Sequence, residues 1–392
     1  MKRLILLGSL LSISCGGGTP SNGDAGDNGC VKFGDSCLFP PMQVATRTPC
    51  GDVSEFCDPT MQPAPNLTCL GQGPATPPTT PDKVTLTGFV HVFSSGPDAK
   101  GLTVQVFEQS ALTGGADPAT LTPLAQTMVV LDPSTQRACD ADPAKGCSLP
   151  STTGCALPVC NDGLSGRSDD KKYCRDTGNG GSECSDRLRW EGRYALDAIP
   201  TNTQLVIRVT GPDGKPDATW ATMVAFNIVL STSDPSCKTT SDVYCLDKSG
   251  ATPTYQFNVN ALSQSDYVNI PTTSGLAGGI SSGMGAIAGE VHDCDNIRVG
   301  NVQVGVSPEG DRFTYFNGNP IKTLPDSGRV GSGTDRLGLY AALNVKPGNV
   351  AIETAGLTTA GGMLTSFGRF TAIVYANTVS VANINGGRPQ PK

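Results

Sequence analysis

The sequence has few of the residues on which most enzymes depend. It contains two histidines, His91 and His292, two tryptophans, 6% aromatic residues and 16% charged residues. Neither His-x-x-Glu nor His-Glu-x-x-His occurs, so the ligand spacing of zinc hydrolases is missing. We therefore expect a protein that is not an enzyme, with no catalytic residues, no resident metal and no cofactor.

Positive charge is also scarce. The formal net charge is −7 at neutral pH. Nucleic acids and anionic lipids are bound by basic stripes on a protein surface. We therefore expect no nucleic acid partner.

What the chain has in abundance is glycine, proline and cysteine, with 48, 30 and 15 residues respectively. Glycine and proline favour turns and interrupt helices. Alternating apolar and polar stretches of four to eight residues lie between turn residues, a pattern typical of β-sandwiches. The sequence thus predicts an all-β fold of two tandem antiparallel β-sandwiches.

The first residues have the order of a secretion signal. Two basic residues are followed by an apolar run from Leu4 to Ile13, and Ser14 and Cys15 close the segment. Residues 11–15 resemble a bacterial lipobox, although Ser12 stands where that motif has an aliphatic residue. The resemblance implies a signal peptide at residues 1–14 and lipidation of Cys15.

The leader predicts a bacterial cell-envelope location on the extracytoplasmic side. Beyond the leader no apolar stretch reaches 18 residues, so the predicted membrane link is the lipid alone. Gly16 follows the cysteine where aspartate would mark retention, and by analogy this favours the outer membrane. Without the leader the net charge becomes −9.

Cysteine parity supports the lipid at Cys15. Removing Cys15 leaves 14 cysteines, an even number that suits disulfides in an oxidising compartment. They fall into an N-terminal group of five, a middle group of six, a pair and a single residue. The disulfide candidates are Cys30, Cys37, Cys50, Cys57 and Cys69, then Cys139, Cys147, Cys155, Cys160, Cys174 and Cys184, then Cys237 and Cys245, and finally Cys294.

Two pairings follow from these groups. Cys237 and Cys245 are the simplest local pair. A group of five and a group of one cannot each close internally, so we expect one of the five N-terminal cysteines to pair with Cys294. The alternatives are that Cys294 bonds another chain, or holds a metal together with His292.

After residue 83 the chain repeats itself, with five landmarks in the same order. The first copy has Gly88–His91, Val104–Val106, Gly192–Ala195, Ile199–Asn202 and Leu205–Val209, and the second has Gly289–His292, Val302–Val304, Gly338–Ala341, Lys346–Asn349 and Val350–Thr354.

The repeat sets the predicted domain boundaries. After the signal peptide we expect a flexible tether at 15–29 and a cysteine-rich segment with a proline-rich linker at 30–82. The first sandwich then spans 83–265, a hinge-like linker spans 266–284, and the second sandwich spans 285–388. The first copy is longer in its middle, which predicts a disulfide-held insertion at about 132–186.

The order Gly-x-Val, Val-x-Val, Gly-x-Tyr, proline turn and strand resembles the carboxypeptidase regulatory-like family, a prealbumin-type seven-strand sandwich. The resemblance covers roughly residues 83–265 and 285–388. It implies an accessory module of secreted and surface proteins without catalysis of its own. The six-cysteine insertion departs from the family pattern.

Residues 292–296 (HDCDN) are the densest set of possible metal ligands. On a strand, His292 and Cys294 would face one side and the two aspartates the other, which splits the set. We therefore expect structural roles for both histidines and a disulfide at Cys294.

Several other motifs match catalytic, nucleotide-binding, sugar-binding or calcium-binding sites in part. Residues 279–283 match the Gly-x-Ser-x-Gly elbow of hydrolases, and residues 283–288 imitate a dinucleotide loop, but both lie in a glycine-rich linker without an α/β pattern. Trp190 and Trp220 could stack sugars, though core positions are expected. Asp162, Asp169 and Asp170 lack the spacing of a calcium loop.

The sequence therefore favours a lipid-anchored, non-catalytic binding or scaffold protein that presents loops on two sandwiches. The alternative is a glycan- or peptidoglycan-binding accessory protein. The expected partners are the membrane, through the lipid, and an envelope protein or glycan.

Overall fold

The computed structural model describes residues 31–33, 36–39, 43–48, 63–70, 82–93, 99–131, 174–176, 182–184, 192–234, 236–237, 244–318 and 323–385. Over these residues the chain is all-β apart from short 3-10 turns and one α-helix, α1 (Gln264–Thr273). The strands are, in chain order, β1 (Val31–Phe33), β2 (Ser36–Leu38), β3 (Thr46–Arg47), β4 (Lys83–Val92), β5 (Thr103–Glu108), β6 (Ala125–Met128), β7 (Val130–Leu131), β8 (Cys174–Asp176), β9 (Ser182–Cys184), β10 (Gly192–Pro200), β11 (Gln204–Thr210), β12 (Trp220–Val229), β13 (Cys245–Asp247), β14 (Thr254–Gln256), β15 (Val259–Ser263), β16 (Gly285–His292), β17 (Val299–Gly300), β18 (Val302–Ser307), β19 (Arg312–Phe316), β20 (Pro325–Asp326), β21 (Leu339–Val345), β22 (Gly348–Leu357), β23 (Leu364–Val374), β24 (Thr378–Val381) and β25 (Ile384–Asn385).

The first module is a sandwich of two sheets. In one sheet β4 lies between β10, which runs antiparallel to it, and β14 and β15, which run parallel. In the other sheet β6, β5, β11 and β12 are antiparallel neighbours. Buried residues alternate along β4, as expected for a strand with one face on the core.

The second module repeats this arrangement. Its β16 pairs antiparallel with β21, as β4 does with β10. Its β18, β22 and β23 form the facing antiparallel sheet, as β5, β11 and β12 do in the first module. The repeat in the sequence is therefore also a repeat of strand pairing.

The Gly-x-Tyr landmark has a physical explanation. Tyr194 lies opposite Gly88, and Tyr340 lies opposite Gly289. The Tyr194 hydroxyl donates to the Phe257 carbonyl at 2.6 Å, and the Tyr340 hydroxyl donates to its counterpart, the Ala382 carbonyl, at 2.5 Å. Burial raises the pKa of both tyrosines, so both stay neutral donors.

Glycine is required opposite each tyrosine because the next strand's carbonyl approaches the backbone closely. A Cβ at Gly88 would lie 1.8 Å from the Phe257 oxygen, and a Cβ at Gly289 would lie 2.1 Å from the Ala382 oxygen. No side chain can occupy that space.

The two modules share a sheet and a core. Strand β24 of the second module pairs in parallel with β12 of the first and with β16 of its own module. The Phe226 ring stacks on Tyr375 with centroids 6.4 Å apart, and both lie in one buried cluster that draws residues from each module. The modules are thus joined by one parallel ladder and one shared apolar cluster.

The structure confirms the all-β, sandwich-like fold and adds a detail. Besides the antiparallel pairs, β14, β15 and β24 enter parallel ladders. The segment 266–284, expected to act as a hinge, contains most of α1, which Ser263 caps by accepting the Asp266 N–H at 3.1 Å. A free hinge there is incompatible with the ladder that joins the modules.

Some expectations lie outside the described residues. These are the signal peptide 1–14, Cys15, the tether 15–29, most of the insertion at 132–186, Trp190, Asp162, Asp169, Asp170, and Cys30, Cys50, Cys57, Cys139, Cys147, Cys155 and Cys160. Cys37, Cys174 and Cys184 are described only as strand backbone, with Cys174 opposite Cys184 in the β8–β9 hairpin.

Candidate functional site

The N-terminal segment docks on the second module and builds one wall of a pocket. Strand β3 pairs antiparallel with β17. The Ala45 N–H donates to the Leu357 carbonyl at 2.8 Å, and the Thr48 N–H donates to the Arg298 carbonyl at 2.9 Å. Leu38 joins a small apolar cluster with residues of β22 and β23. Short segments with little core of their own thus gain stability by joining a larger module.

A disulfide fixes this docking. Cys69 is bonded to Cys294, with Cα atoms 5.6 Å apart and a sequence separation of 225. The parity argument predicted a bridge from the N-terminal group to Cys294, and the structure selects Cys69 from the five candidates. Cys237 and Cys245 form the predicted local bridge.

Beside the bridge, Asp293 anchors the N-terminal segment by charge. Its side chain is fully buried, and it accepts from Arg47 Nε at 2.5 Å and from the Asn66 N–H at 2.9 Å. Its other oxygen accepts the N–H groups of Asp295 and Ile297 at 3.0 and 3.1 Å. Four N–H groups thus meet the hydrogen-bonding demand of this buried carboxyl group.

These contacts argue against the alternative in which Cys294 and His292 hold a metal ion. Cys294 is in a disulfide, and Asp293 is engaged by four N–H groups. The His292 ring bonds Glu290 at 2.7 Å through Nε2 and Asn296 through Nδ1. Across the described ranges no group of three or more histidine, cysteine or acidic side chains is placed to hold a metal ion.

Glu290 forms a second, half-buried ion cluster in this region. Burial alone would raise its pKa, but the Arg298 guanidinium and the His292 ring outweigh burial and lower the pKa to about 2. Arg298 contacts both Glu290 oxygens, at 3.0 and 3.1 Å. The pair ties β16 to the start of β17, and β17 pairs with the N-terminal segment.

The pocket opens where this segment meets the second module. Its volume is about 260 Å³. Three arginines and one aspartate supply its charges, and hydroxyl and amide side chains supply most of the rest. The lining residues are Gln43, Thr46, Arg47, Thr48, Gly300, Asn301, Arg329, Ser332, Asp335 and Arg336.

The opposite wall of the pocket is the loop that contains Arg329, Ser332, Asp335 and Arg336, and its turn depends on Gly333. Gly333 has a φ of +80°, and a Cβ there would lie 2.4 Å from the Val302 carbonyl oxygen. Arg329 bonds this turn from inside, with Nε donating to the Gly333 carbonyl at 3.1 Å and an Nη to the Thr334 carbonyl at 2.8 Å. The loop is therefore held against β18 in one conformation.

Hydrogen bonds also fix the wall that the N-terminal segment builds. Asn301 donates to the Val44 carbonyl at 3.1 Å, and Thr48 Oγ1 donates to the carbonyls of Arg298 and Arg336. Arg336 Nε donates to the Gly318 carbonyl at 2.5 Å. Each wall is thus fixed by backbone or side-chain hydrogen bonds, which preorganises the pocket.

The other sequence candidates are not brought to this pocket. Trp220 is buried in the first core, 4% exposed, so it offers no face to a sugar. Ser281 follows α1 and precedes β16, and its N–H bonds Asn344; the strand-turn-helix order of a hydrolase elbow is missing there. His91 lies on β4 and is not among the lining residues.

Sequence reasoning missed the pocket. Arg47 stands in the cysteine-rich segment, whereas Arg329, Asp335 and Arg336 stand in a loop of the second copy. No motif links them. One signal was available. The N-terminal group has an odd number of cysteines, and this predicted a bridge from the N-terminal segment to Cys294 in the second module.

Comparisons with known proteins identify no family. No protein-family model matches the chain, and no curated protein matches it. A solved structure of the Bacillus anthracis TIE protein aligns with 76% of this chain at 7% identity and a TM-score of 0.17. The chain spans only 33% of that protein.

A proposed cell adhesion protein from Bacteroides eggerthii aligns over 80% of this chain and 91% of its own length, at 9% identity and a TM-score of 0.15. Both TM-scores are too low to carry an argument about fold or function.

Proposed function

We propose that the protein is a lipid-anchored, extracytoplasmic binding or scaffold protein without catalysis of its own. One observation carries the proposal. The segment nearest the predicted anchor is bridged to the second module through Cys69 and Cys294, and together they form a preorganised polar pocket. A rigid site next to a tether is what a surface binding module requires.

One further observation supports the location. Disulfides persist in oxidising compartments outside the cytoplasm, and the described residues contain two. In the part of the chain that the structure describes, no helix combines the length and the apolar character of a membrane span. The anchor in this proposal is the lipid on Cys15.

A glycan- or peptidoglycan-binding role is the second candidate. The observation that favours it is the pocket lining, where threonine, serine, asparagine and glutamine side chains alternate with arginines. Hydroxyl and amide groups of this kind match the hydroxyls of a sugar ring.

The test of the anchor compares the wild-type chain with Cys15→Ala in a bacterial host fed a radioactive fatty acid. Wild-type protein should be labelled and sediment with membranes, whereas Cys15→Ala should be unlabelled and either released or left unprocessed. Ser21→Ala, in the same N-terminal stretch, is the matched control and should behave as wild type. An unlabelled wild-type protein would remove the lipid from the proposal.

The binding role is tested by cross-linking the wild-type protein in its own envelope and identifying what is captured. Capture of a defined envelope protein or glycan that Cys69→Ser/Cys294→Ser fails to capture supports the proposal. Equal capture by both proteins would show that the docked segment plays no part in binding.

A further inference from the structure

We infer that the Cys69–Cys294 disulfide is a mechanical clamp that carries a pulling load past the first module. The inference concerns the path of force through the chain and goes beyond the binding or scaffold role proposed above. It depends neither on the lipid at Cys15 nor on the identity of a partner.

The clamp follows from the order of the elements along the chain. Cys69 precedes β4, the first strand of the first module, and Cys294 follows β16 of the second module. The bridge therefore closes a loop that contains the whole first module, α1 and β16. Tension that enters from the N-terminal side crosses the bridge at Cys69 and continues along the chain after Cys294. No segment inside the loop is stretched.

Noncovalent contacts bring the N-terminal segment to the same turn of the second module. Arg47 Nε donates to the Asp293 carboxylate at 2.5 Å, and the Asn66 N–H donates to it at 2.9 Å. The Cys69 N–H donates to Cys294 Sγ at 2.9 Å. Because these contacts break at lower force than a covalent bond, a pull first peels the segment that ends at Cys69. The bridge then stops the peeling and passes the load to the chain after Cys294.

The first module meets this load only through its contacts with the second module. These are the parallel ladder of β12 with β24 and the stacked rings of Phe226 and Tyr375. Hydrogen bonds and ring contacts transmit tension only until they separate, and each contributes little on its own. Strands β17 to β25, by contrast, lie on the covalent path after Cys294. The second module therefore unfolds under load while the first keeps its strands and its loops.

The length of the loop sets the size of the effect. An extended chain spans at most about 3.3 to 3.6 Å per residue. With a sequence separation of 225, the intact bridge withholds about 750 to 800 Å of extension. A tethered protein with this clamp keeps the first module folded, and keeps it near the tether, when its second module is pulled.

The experiment stretches single, oxidised full-length molecules in detergent between a tag inserted after Ser21 and a tag after Lys392. Wild type should show the peeling of the N-terminal segment and the unfolding of the second module, with no unfolding step from the first module. Cys69→Ser/Cys294→Ser should add first-module steps that lengthen the molecule by several hundred ångström, up to about 800 Å.

The matched control removes the other bridge. Cys237→Ser/Cys245→Ser opens a disulfide that lies inside the loop, so its full extension should equal that of wild type. First-module steps in the wild type, or equal full extension of wild type and Cys69→Ser/Cys294→Ser, would overturn the clamp.

A second pulling geometry keeps the test decisive if the long-bridge variant does not fold. The bridge stays intact, and the N-terminal tag is replaced by one inserted between Gly250 and Ala251, in an exposed turn of the first module. This tag lies inside the loop, so a pull from it to Lys392 loads the first module directly and should unfold part of it. The same steps from both attachment points would show that the bridge does not set the path of force.

Failure of the clamp is distinguishable from failure of the proposed function. Missing lipid label on Cys15, or missing capture of a partner, leaves the path of force in the purified chain unchanged. First-module steps in the wild type refute the clamp and leave the anchor and the binding role as they are.

Discussion

Arg47 Nε donates to the buried Asp293 carboxylate at 2.5 Å, across 246 residues of sequence. The same guanidinium also pairs with Asp295, whose side chain is 49% exposed, whereas that of Asp293 is fully buried. One arginine thus holds one buried and one exposed partner. This contrast gives the first prediction.

Asp293→Ala should destabilise the protein far more than Asp295→Ala. Removing Asp293 leaves the nearly buried Arg47 guanidinium without its main partner, which costs about 3 to 5 kcal/mol. Removing Asp295 breaks an exposed pair, which costs under about 1 kcal/mol. Urea unfolding of the two variants measures the difference. Equal free energies of unfolding would show that Asp293 is not the anchor of the N-terminal segment.

Removing the long-range bridge should cost more than removing the local one. In the chain-entropy model the closed loop of Cys69–Cys294 stabilises by about 5 kcal/mol, and that of Cys237–Cys245 by about 3 kcal/mol. We expect Cys69→Ser/Cys294→Ser to lower the free energy of unfolding more than Cys237→Ser/Cys245→Ser does. Proteolysis should then cut the N-terminal segment of the first double variant and spare that of the second.

Acidification should weaken the Glu290 cluster in a defined pH range. The pKa of Glu290 falls from 4.5 to about 2 on folding. A lowered folded-state pKa contributes stability that is complete above pH 4.5 and is lost as the pH falls towards 2. The contribution is on the order of 3 kcal/mol.

Urea unfolding at several pH values measures this contribution. Glu290→Gln should be less stable than wild type at pH 7, and the difference between the two proteins should shrink between pH 4.5 and pH 2. A difference that stays constant over this range would exclude Glu290 as the titrating group.

Gly289→Ala should destabilise the second module by several kcal/mol. Its Cβ would lie 2.1 Å from the Ala382 carbonyl oxygen and 2.9 Å from the Tyr340 hydroxyl. Overpacking of this kind typically costs about 1 to 3 kcal/mol, and the displaced hydrogen bond adds about 1 kcal/mol. Gly331→Ala is the matched control, since a Cβ there meets nothing within 4 Å.

Thermal unfolding of the two glycine variants tests whether a Cβ at residue 289 destabilises the fold. Gly331→Ala should unfold within a few degrees of wild type, whereas Gly289→Ala should unfold at a clearly lower temperature. Similar midpoints for both would mean that the close approach of β16 to Ala382 is not a constraint on the fold.

The sequence alone was enough to predict the all-β sandwich fold, the Cys237–Cys245 disulfide and a bridge from the N-terminal group of cysteines to Cys294. Period-2 alternation and the repeated order of landmarks can be recognised without knowing any contact, because both are patterns of residue types along the chain. The odd group of cysteines required a partner elsewhere, and Cys294 was the single one left. These inferences needed only spacing and counting.

Tertiary structure decided what spacing cannot show. The choice of Cys69, the parallel ladder between β12 and β24, and the pocket with Arg47 and Arg329 all depend on contacts between segments far apart in sequence. The glycines of residues 266–284 suggested a hinge, because glycine content can be seen in the sequence. The shared core that joins the modules cannot be seen there, since it forms between distant segments. Long-range packing carries no periodic signal in the chain, so only the folded molecule reveals it.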